Sequence, residues 1–183
     1  MYEKNENAVS PVVGVMLMLV VTIIIAAVVS AFAGGMGSSQ DKTPQVTIKA
    51  EYSVADGMTL YHNGGDTLAV GDFQILLTPS SNMGMEDYVS VVNPQLISNG
   101  AGTDWYNYKG TAVVNRFASG DVAYINTTNC YTDKLTPFLI YKIGPNKANY
   151  GINQTKHVGS TFFLDFTTKD GKKITRVEVP IKP

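Results

Sequence analysis

The sequence predicts an α+β protein, in which a long hydrophobic α-helix at the amino terminus precedes an antiparallel β-sandwich. Residues 8–39 contain no ionisable side chain, so this run must be buried in a bilayer or among its own copies. After Gln40 the chain becomes polar, and its apolar residues alternate at a spacing of two. About 140 residues remain there, enough for one self-sufficient core.

The change in composition divides the chain into four predicted segments. We expect a leader at residues 1–8, a helix at 9–36, a linker at 37–44 and a β-sandwich at 45–183. The net charge is −1 and only 16% of the residues are charged, so we expect no nucleic-acid partner. Cys130 is the only cysteine, which excludes an intrachain disulfide and a cysteine-based zinc site. We expect a buried thiol there, with a disulfide between subunits as the alternative.

The helix is predicted from its length and its ends. Residues 11–33 are about as long as the ~20 residues that cross a hydrocarbon core. Ser10 is a suitable N-cap, Pro11 suits the first helical position, and glycines follow the run. Three interpretations remain open: a signal peptide cut after Ala31-Phe32-Ala33, an uncleaved anchor, or a segment cut before its apolar run. The apolar run is longer than the ~7–15 residues of an ordinary signal peptide.

Small residues recur along the helix at a spacing of four. Such rows let the backbones of two helices approach closely, although the same residues could simply dilute a lipid-facing surface. The predicted packing residues are Ala26, Ser30 and Gly34 in one row, and Ala27, Ala31 and Gly35 in the row beside it.

Residues 8–18 read Ala-Val-Ser-Pro-Val-Val-Gly-Val-Met-Leu-Met. This segment resembles the amino terminus of archaeal type IV pilins, in which Ser-Pro-Val-x-Gly-Val precedes an aliphatic helix. The resemblance implies a leader of the class III signal peptide type, removed by a prepilin peptidase between Ala8 and Val9. Asn7–Ala8 is the second choice of bond, because family leaders usually carry a charged residue where Asn7 stands.

The same resemblance implies a homopolymer built through the amino-terminal helix, with an assembly ATPase and a membrane platform as further partners. The precursor would lie in the cell membrane with its amino terminus in the cytoplasm and its β domain outside. After assembly it would form part of a cell-surface pilus.

The rest of the chain predicts an immunoglobulin-like sandwich of short antiparallel strands. Lys169-Asp170-Gly171-Lys172 predicts a hairpin with a type I′ turn, and Pro180 predicts that the last strand is at an edge or ending. We expect strands at residues 45–52, 58–62, 68–77, 88–92, 111–117, 122–126, 138–143, 162–166 and 176–181.

Three groups of polar and aromatic residues are candidate contact sites. Residues 62–66, His-Asn-Gly-Gly-Asp, predict a tight turn, with a cation site as the alternative, and a similar turn occurs in archaeal pilin domains. Asn126 and Asn153 each begin an N-x-Thr acceptor for N-glycosylation. Trp105, Tyr106 and Tyr108 could bind sugars or a neighbouring subunit, or pack in the core.

No catalytic motif or metal-ligand cluster is present, so we expect no enzyme activity and no cofactor. We therefore interpret the chain as the precursor of an archaeal type IV pilin, which polymerises through its helix and mediates adhesion or cell contact through its β domain. The alternatives are a membrane-anchored β-sandwich that binds a partner without polymerising, and an archaellin-like filament subunit.

Overall fold

The structure, a computed structural model, describes residues 11–35, 42–83, 89–136, 138–139 and 151–183. The predicted leader, the cleavage position at Ala8–Val9, the Ser10 cap and residues 37–41 of the predicted linker lie outside the described residues. The chain divides into two units between Lys42 and Thr43, and each unit is described by itself.

The amino-terminal unit contains one helix, α1 (Pro11–Gly35), as the sequence predicts. Pro11 occupies its first position, where the missing N–H interrupts no helical hydrogen bond. Its one hydroxyl in the middle, that of Thr22, donates to the Leu19 carbonyl at 2.9 Å, so this polar group is satisfied within the helix. The helix is 25 residues long, about 37 Å at 1.5 Å per residue.

The second unit is largely β-structure, with one-turn helical segments in its loops. These segments are α2 (Thr132–Leu135) and the 3₁₀ turns Ser81–Met83, Pro94–Leu96, Thr127–Asn129 and Thr155–His157. The strands are β1 (Val46–Ser53), β2 (Gly57–Gly65), β3 (Leu68–Ala69), β4 (Phe73–Pro79), β5 (Ser90–Val91), β6 (Ser98–Asn99), β7 (Arg116–Phe117), β8 (Val122–Asn126), β9 (Phe138–Leu139), β10 (Thr161–Thr168) and β11 (Lys173–Lys182).

Nine of these strands form a single curled sheet in the order β6-β8-β2-β1-β11-β10-β4-β5-β9, and β3 pairs with β7 in a separate ribbon. The α+β class is confirmed, but two separate packed sheets of an immunoglobulin-like sandwich are not. The last strand explains the difference. β11 pairs antiparallel with β10 along most of its length, and its final residues pair parallel with β1 at Tyr52–Ile181 and Ser53–Lys182. One strand thus joins what the sequence predicts as two sheets.

The core is built from the alternating faces of the longest strands. In β10, Phe162, Leu164 and Phe166 have no exposed surface, and in β4 every second residue from Phe73 is buried. Tyr52 of β1 contacts Phe162 edge-on, with the ring centroids 5.7 Å apart. The spacing of two therefore predicts the buried apolar residues of both strands correctly, but in β10 Asp165 and Thr167 on the other face are buried as well.

Three strand predictions need correction. The predicted strand 68–77 is two strands, because the Asp72 N–H donates to the Ala69 carbonyl at 2.9 Å and turns the chain. Within the predicted strand 111–117, only Arg116–Phe117 is a strand. Within the predicted strand 88–92, only Ser90–Val91 is a strand among the described residues, whereas the described residues of the predicted strand 138–143, Phe138–Leu139, do form a strand. Residues 88, 140, 141, 142 and 143 lie outside the described part of the chain.

The β10–β11 hairpin forms where Asp-Gly predicts it, but its turn is of another type. A type I′ turn needs positive φ at two central residues, and Gly171 alone has it here, at 84°. The Gly171 N–H donates to the Thr168 carbonyl, and the Thr168 N–H donates to the Lys172 carbonyl. This is the three-residue hairpin in which a glycine follows a type I turn.

Pro180 does not mark an edge, because β11 lies between β1 and β10 in the sheet. It directly precedes Ile181, the first residue that pairs with β1. A residue without an N–H is tolerated at the point where a ladder begins.

A charged cluster supports the middle of this sheet. The Arg176 guanidinium donates two bonds of 2.7 Å to the Asp165 carboxylate, and the Lys173 ammonium lies 3.4 Å from it. Burial alone would raise the pKa of Asp165, but the hydrogen bonds and charges of Arg176 and Lys173 together lower it below its usual 3.8. The folded state therefore favours the ionised carboxylate.

We expect Asp165→Asn to destabilise the β unit by about 1–2 kcal/mol at pH 7, because it removes charge-assisted hydrogen bonds. A lowered folded pKa stabilises the fold above the unfolded value, and this stability is lost as the pH falls through the folded value. The difference between the variant and the unchanged protein should therefore shrink below pH 3.8. Urea unfolding of the detergent-solubilised chain measures it. The control Glu178→Gln changes an exposed carboxylate on the same strand; an equal loss there would contradict the prediction.

Candidate functional site

The surface of α1 is apolar on every side. All side chains from Val12 to Ala33 are exposed, and no acidic or basic residue lies in its first or last turn. Val12–Ala33 is long and apolar enough to cross a membrane by length and composition. A helix of this kind needs burial all round, which lipid or other helices can supply.

The predicted packing residues all lie on α1, one helical turn apart within each row. At 100° per residue, the bulky Val28, Val29 and Phe32 share the opposite side of this part of the helix. Phe32 is 69% exposed. The last third of the helix is therefore apolar all round but asymmetric in shape. Its low side carries the small residues Ala26, Ala27, Ser30 and Ala31, and its high side carries Val28, Val29 and Phe32.

The His-Asn-Gly-Gly-Asp cluster, residues 62–66, is bonded to Gln45, the residue that precedes β1. Asp66 Oδ2 accepts from the Gln45 N–H at 3.0 Å, and the Asp66 N–H donates to the Gln45 carbonyl at 2.8 Å. His62 Nε2 donates to the Asp66 carbonyl at 3.0 Å, and its ring lies 5.2 Å from that of Phe117. The Asp66 carboxylate thus accepts a hydrogen bond from the main chain of Gln45, as expected of a residue in a turn. Within the described ranges, no group of three or more His, Cys, Asp or Glu side chains could hold a metal ion.

The sequence predicts a tight turn at residues 62–66, but most of the cluster belongs to a strand, because β2 continues to Gly65. Asn63 is the extra residue of a bulge, since Thr47 pairs with Gly64 and Ile48 with His62. Gly65 has a φ of 99°, and a Cβ there would lie 2.2 Å from the Gln45 carbonyl oxygen. The second glycine is thus required by the close approach of β1.

The two N-x-Thr acceptors lie in different surroundings. Asn126 is exposed, and its Oδ1 accepts from the N–H and the hydroxyl of Thr128, both at 2.9 Å. The Asn126 amide nitrogen, the atom that would carry a glycan, makes no hydrogen bond within the described part of the chain. Asn153 is half-buried in a turn.

The three aromatic residues of the predicted contact region have different surroundings. Trp105 is 2% exposed and packs against Phe73 and Phe117. Tyr106 is half-buried, and its hydroxyl donates to the Val70 carbonyl at 2.9 Å. Tyr108 is 87% exposed, so it is the member of this group that a partner could cover.

A pair of matching loops, which the sequence analysis missed, holds these aromatics. Each loop reads Asn-x-x-Gly-Thr, at residues 99–103 and 107–111. In each, the asparagine Oδ1 accepts from the residues two and four positions later, and the glycine has positive φ. The repeated pentad was the sequence signal for these turns.

The second loop forms one wall of a cleft of about 590 Å³. Polar residues and main chain line part of the cleft: Asn93, Pro94, Gln95, Tyr106 and Gly110. The floor is apolar and includes Ile97 and Trp105. The Gln95 side-chain amide donates to the Asn107 carbonyl at 3.4 Å and so connects the segment Pro94–Leu96 to the second loop.

Cys130 is fully buried, as expected of a free cysteine that packs as an apolar residue. Its thiol donates to the Asn126 carbonyl at 3.5 Å. Burial raises the pKa of Cys130 to about 12, so the thiolate that disulfide exchange requires is disfavoured. The alternative of a disulfide between subunits does not fit this position.

Comparison with known proteins shows which family the amino-terminal segment is similar to. Residues 7–48 match the family model described as "Archaeal Type IV pilin, N-terminal", which confirms the resemblance of residues 8–18. An uncharacterized protein of Archaeoglobus fulgidus is 37% identical over 78 residues, which cover 41% of this chain and 55% of that protein. The chain thus spans about half the length of the curated relative that it matches. The family-model match supports a structural, pilin-like filament subunit, and together with the apolar helix it fits a protein anchored in a membrane or carried on a surface pilus.

We expect Gly65→Ala to destabilise the β unit by about 2 kcal/mol, because the new Cβ collides with main chain at a positive φ. Gly71→Ala is the matched control, since nothing lies within 4 Å of its added Cβ and its φ is not in the left-handed region. Urea unfolding of the detergent-solubilised chain, followed by near-ultraviolet circular dichroism, gives both values. Equal midpoints for the two variants would contradict the close approach of Gln45.

Proposed function

We propose that the chain is the precursor of a pilus subunit that polymerises through α1, because residues 7–48 match the family model described as "Archaeal Type IV pilin, N-terminal". One observation carries the proposal: the matched segment contains a 25-residue helix that is apolar on every face and exposed. Each Val, Leu or Ile that such a helix fully buries contributes roughly 1.5–3 kcal/mol relative to water.

The helix would have two successive environments. Lipid covers it in the precursor, and neighbouring copies cover it in the filament. The apolar surface gives little preference between lipid and other helices, so close packing must favour the filament. The low side of α1, which carries Ala26, Ala27, Ser30 and Ala31, is the surface on which another helix can approach most closely.

We assign the amino terminus of the precursor to the cytoplasm and the β unit to the outside. A prepilin peptidase would remove residues 1–8, and an assembly ATPase with its platform would extract the mature helix from the membrane. The β unit would then form the outer surface of the pilus and make adhesive or cell contacts. The exposed Tyr108 supports this role. We propose Asn126, whose amide nitrogen makes no hydrogen bond to a described residue, and Asn153, in the second N-x-Thr acceptor, as glycan positions.

A second candidate function is a membrane-anchored binding protein that does not polymerise. The length and composition of Val12–Ala33 favour it equally, since an anchor needs no more than these. An archaellin-like filament would also use such a helix. The small-residue rows distinguish the first two functions, because only a polymer requires close helix contacts there.

We expect Ala27→Leu and Ala31→Leu to reduce the yield of filaments at least tenfold, while leaving membrane insertion unchanged. Leucine is as compatible with lipid as alanine, but it fills the space that a neighbouring helix would occupy. The matched control is Val28→Leu on the high side of α1. Electron microscopy of sheared surface material measures filaments, and membrane fractionation measures insertion. Normal filaments from both alanine variants would contradict polymerisation through this surface, and membrane-bound protein without any filaments would favour the anchor.

We expect peptide-mapping mass spectrometry of the surface material to give a mature start at Val9, or at Ala8 if the second bond is cut. A start at Gly34 would indicate a conventional signal peptide, and an intact Met1 would favour the anchor.

The same spectra should contain glycan-bearing peptides at Asn126 and Asn153. Asn126→Asp keeps the oxygen that caps Thr128 but removes the acceptor nitrogen, so it should lose the glycan without loss of stability. An unmodified Asn126 peptide from the unchanged protein would contradict the assignment.

A further inference from the structure

The cleft in the β unit lies where β5 separates from β4. These strands pair at Leu76–Val91 and Leu77–Ser90, and the last main-chain bond joins the Val92 N–H to the Ile75 carbonyl at 2.8 Å. The chain then turns away into the segment Pro94–Leu96. β4, however, begins at Phe73. Within the described residues, the first part of β4 therefore has no strand beside it on this edge.

The unpaired part of β4 presents main-chain groups to the cleft. In an antiparallel strand, residues two apart direct their N–H and C=O groups to the same side. Because the Ile75 carbonyl points towards β5, the Phe73 N–H and C=O point the same way, into the gap. Phe73, Gln74 and Ile75 all line the cleft. This edge can therefore accept a strand from another polypeptide.

The floor of the cleft suits an apolar side chain. Val92, Ile97 and Trp105 are at most 3% exposed, so they form a fixed apolar surface at its base. Tyr106 is fixed as well, since its hydroxyl is bound to the Val70 carbonyl. A bound side chain would thus meet a preformed surface, and little conformational entropy would be lost on the side of the protein.

The charge at the rim favours an acidic neighbour. Lys169 is exposed and is the one charged residue that lines the cleft within the described part of the chain. It forms no ion pair with any described residue, although its N–H donates to the Asp72 carbonyl at 3.2 Å. The other polar side chains of the lining, those of Gln74, Asn93 and Gln95, are uncharged amides. An acidic group bound here would meet a cation and no lining carboxylate.

We propose that this cleft binds an extended segment of a partner protein, which adds a short strand to β4 along Phe73–Ile75. The segment places an apolar side chain over Ile97 and Trp105 and an acidic side chain beside Lys169. Main-chain pairing provides affinity, and the apolar and acidic positions provide specificity. This binding concerns the β unit alone and does not depend on whether the chain forms filaments.

Trp105 makes the proposal directly measurable, because it is the only tryptophan of the chain and lines the cleft. The probe is the capped pentapeptide Val-Thr-Leu-Thr-Asp, added to the full chain in detergent micelles. We expect a saturable change in Trp105 fluorescence. A peptide with lysine in place of aspartate should bind about fivefold more weakly, a factor typical of an exposed ion pair. Lys169→Glu should reverse this preference, whereas the control Lys172→Glu, at a position outside the cleft, should not.

Methylation of the peptide amides separates strand addition from simple burial of apolar groups. One probe carries N-methyl groups on its first, third and fifth residues, and another carries them on its second and fourth. Alternate amides of a strand face opposite sides, so only one set can face β4. We expect one methylated peptide to lose at least tenfold in affinity and the other to bind within about threefold of the parent.

Three results would overturn the proposal. The first is no fluorescence change with any peptide up to millimolar concentration. The second is equal affinity for the two methylated peptides, which would mean that no strand forms. The third is binding of the small apolar acid 4-phenylbutyrate without binding of the pentapeptide, which would assign the cleft to a small molecule instead.

Discussion

The organisation of the chain depends on one constraint: the apolar surface of α1 must be kept out of water. The segment Val12–Ala33 is 22 residues long and contains no charged group that would favour contact with water. The helix therefore cannot take part in a soluble fold of ordinary size without being covered, and no described residue from Val12 to Ala33 is buried. Everything after the helix must form a core of its own. The closed hydrophobic core of the β unit, with Phe162, Leu164 and Phe166 completely buried, meets this requirement.

Inside the β unit, the arrangement of the sheet depends most on β11, which pairs with both β1 and β10. It hydrogen-bonds β10 along one side and reaches β1 at its end, so the first and the last strands of the unit lie next to each other. The Asp165–Arg176 pair fixes the register of β10 and β11 on one face, while Phe162 and Val179 do so in the core. The two edge strands of this sheet, β6 and β9, are two residues long within the described part of the chain, and short edge strands limit unwanted pairing with other chains.

The sequence predicts well what depends on local pattern. The helix, its start at Pro11, the buried faces of β4 and β10 and the hairpin at Gly171 all follow from spacing or from a single turn residue. It predicts poorly what depends on distant partners. Nothing local in Ile181 indicates a parallel neighbour. The turn at Asp72 is a different case, because Gly71-Asp72 is a local turn signal that the prediction of one strand over residues 68–77 overlooked. The site shows the same division: the low side of α1 could be read from spacing, but the cleft exists only because β5 separates from β4.

The hydrogen bonds between Asp66 and Gln45 have a mechanical consequence. Gln45 is the residue at which the chain from α1 enters the sheet, and β1 follows it directly. If α1 is held and the β unit is pulled away from it, the tension reaches the β unit at this residue. Because β1 runs alongside β2 over its whole length, such a load acts on the ladder in shear, and many hydrogen bonds must break together. The two bonds between Asp66 and Gln45, one from the Asp66 carboxylate and one from its main-chain N–H, lie at the start of this ladder, so they would carry the load before the rest of β1 and β2.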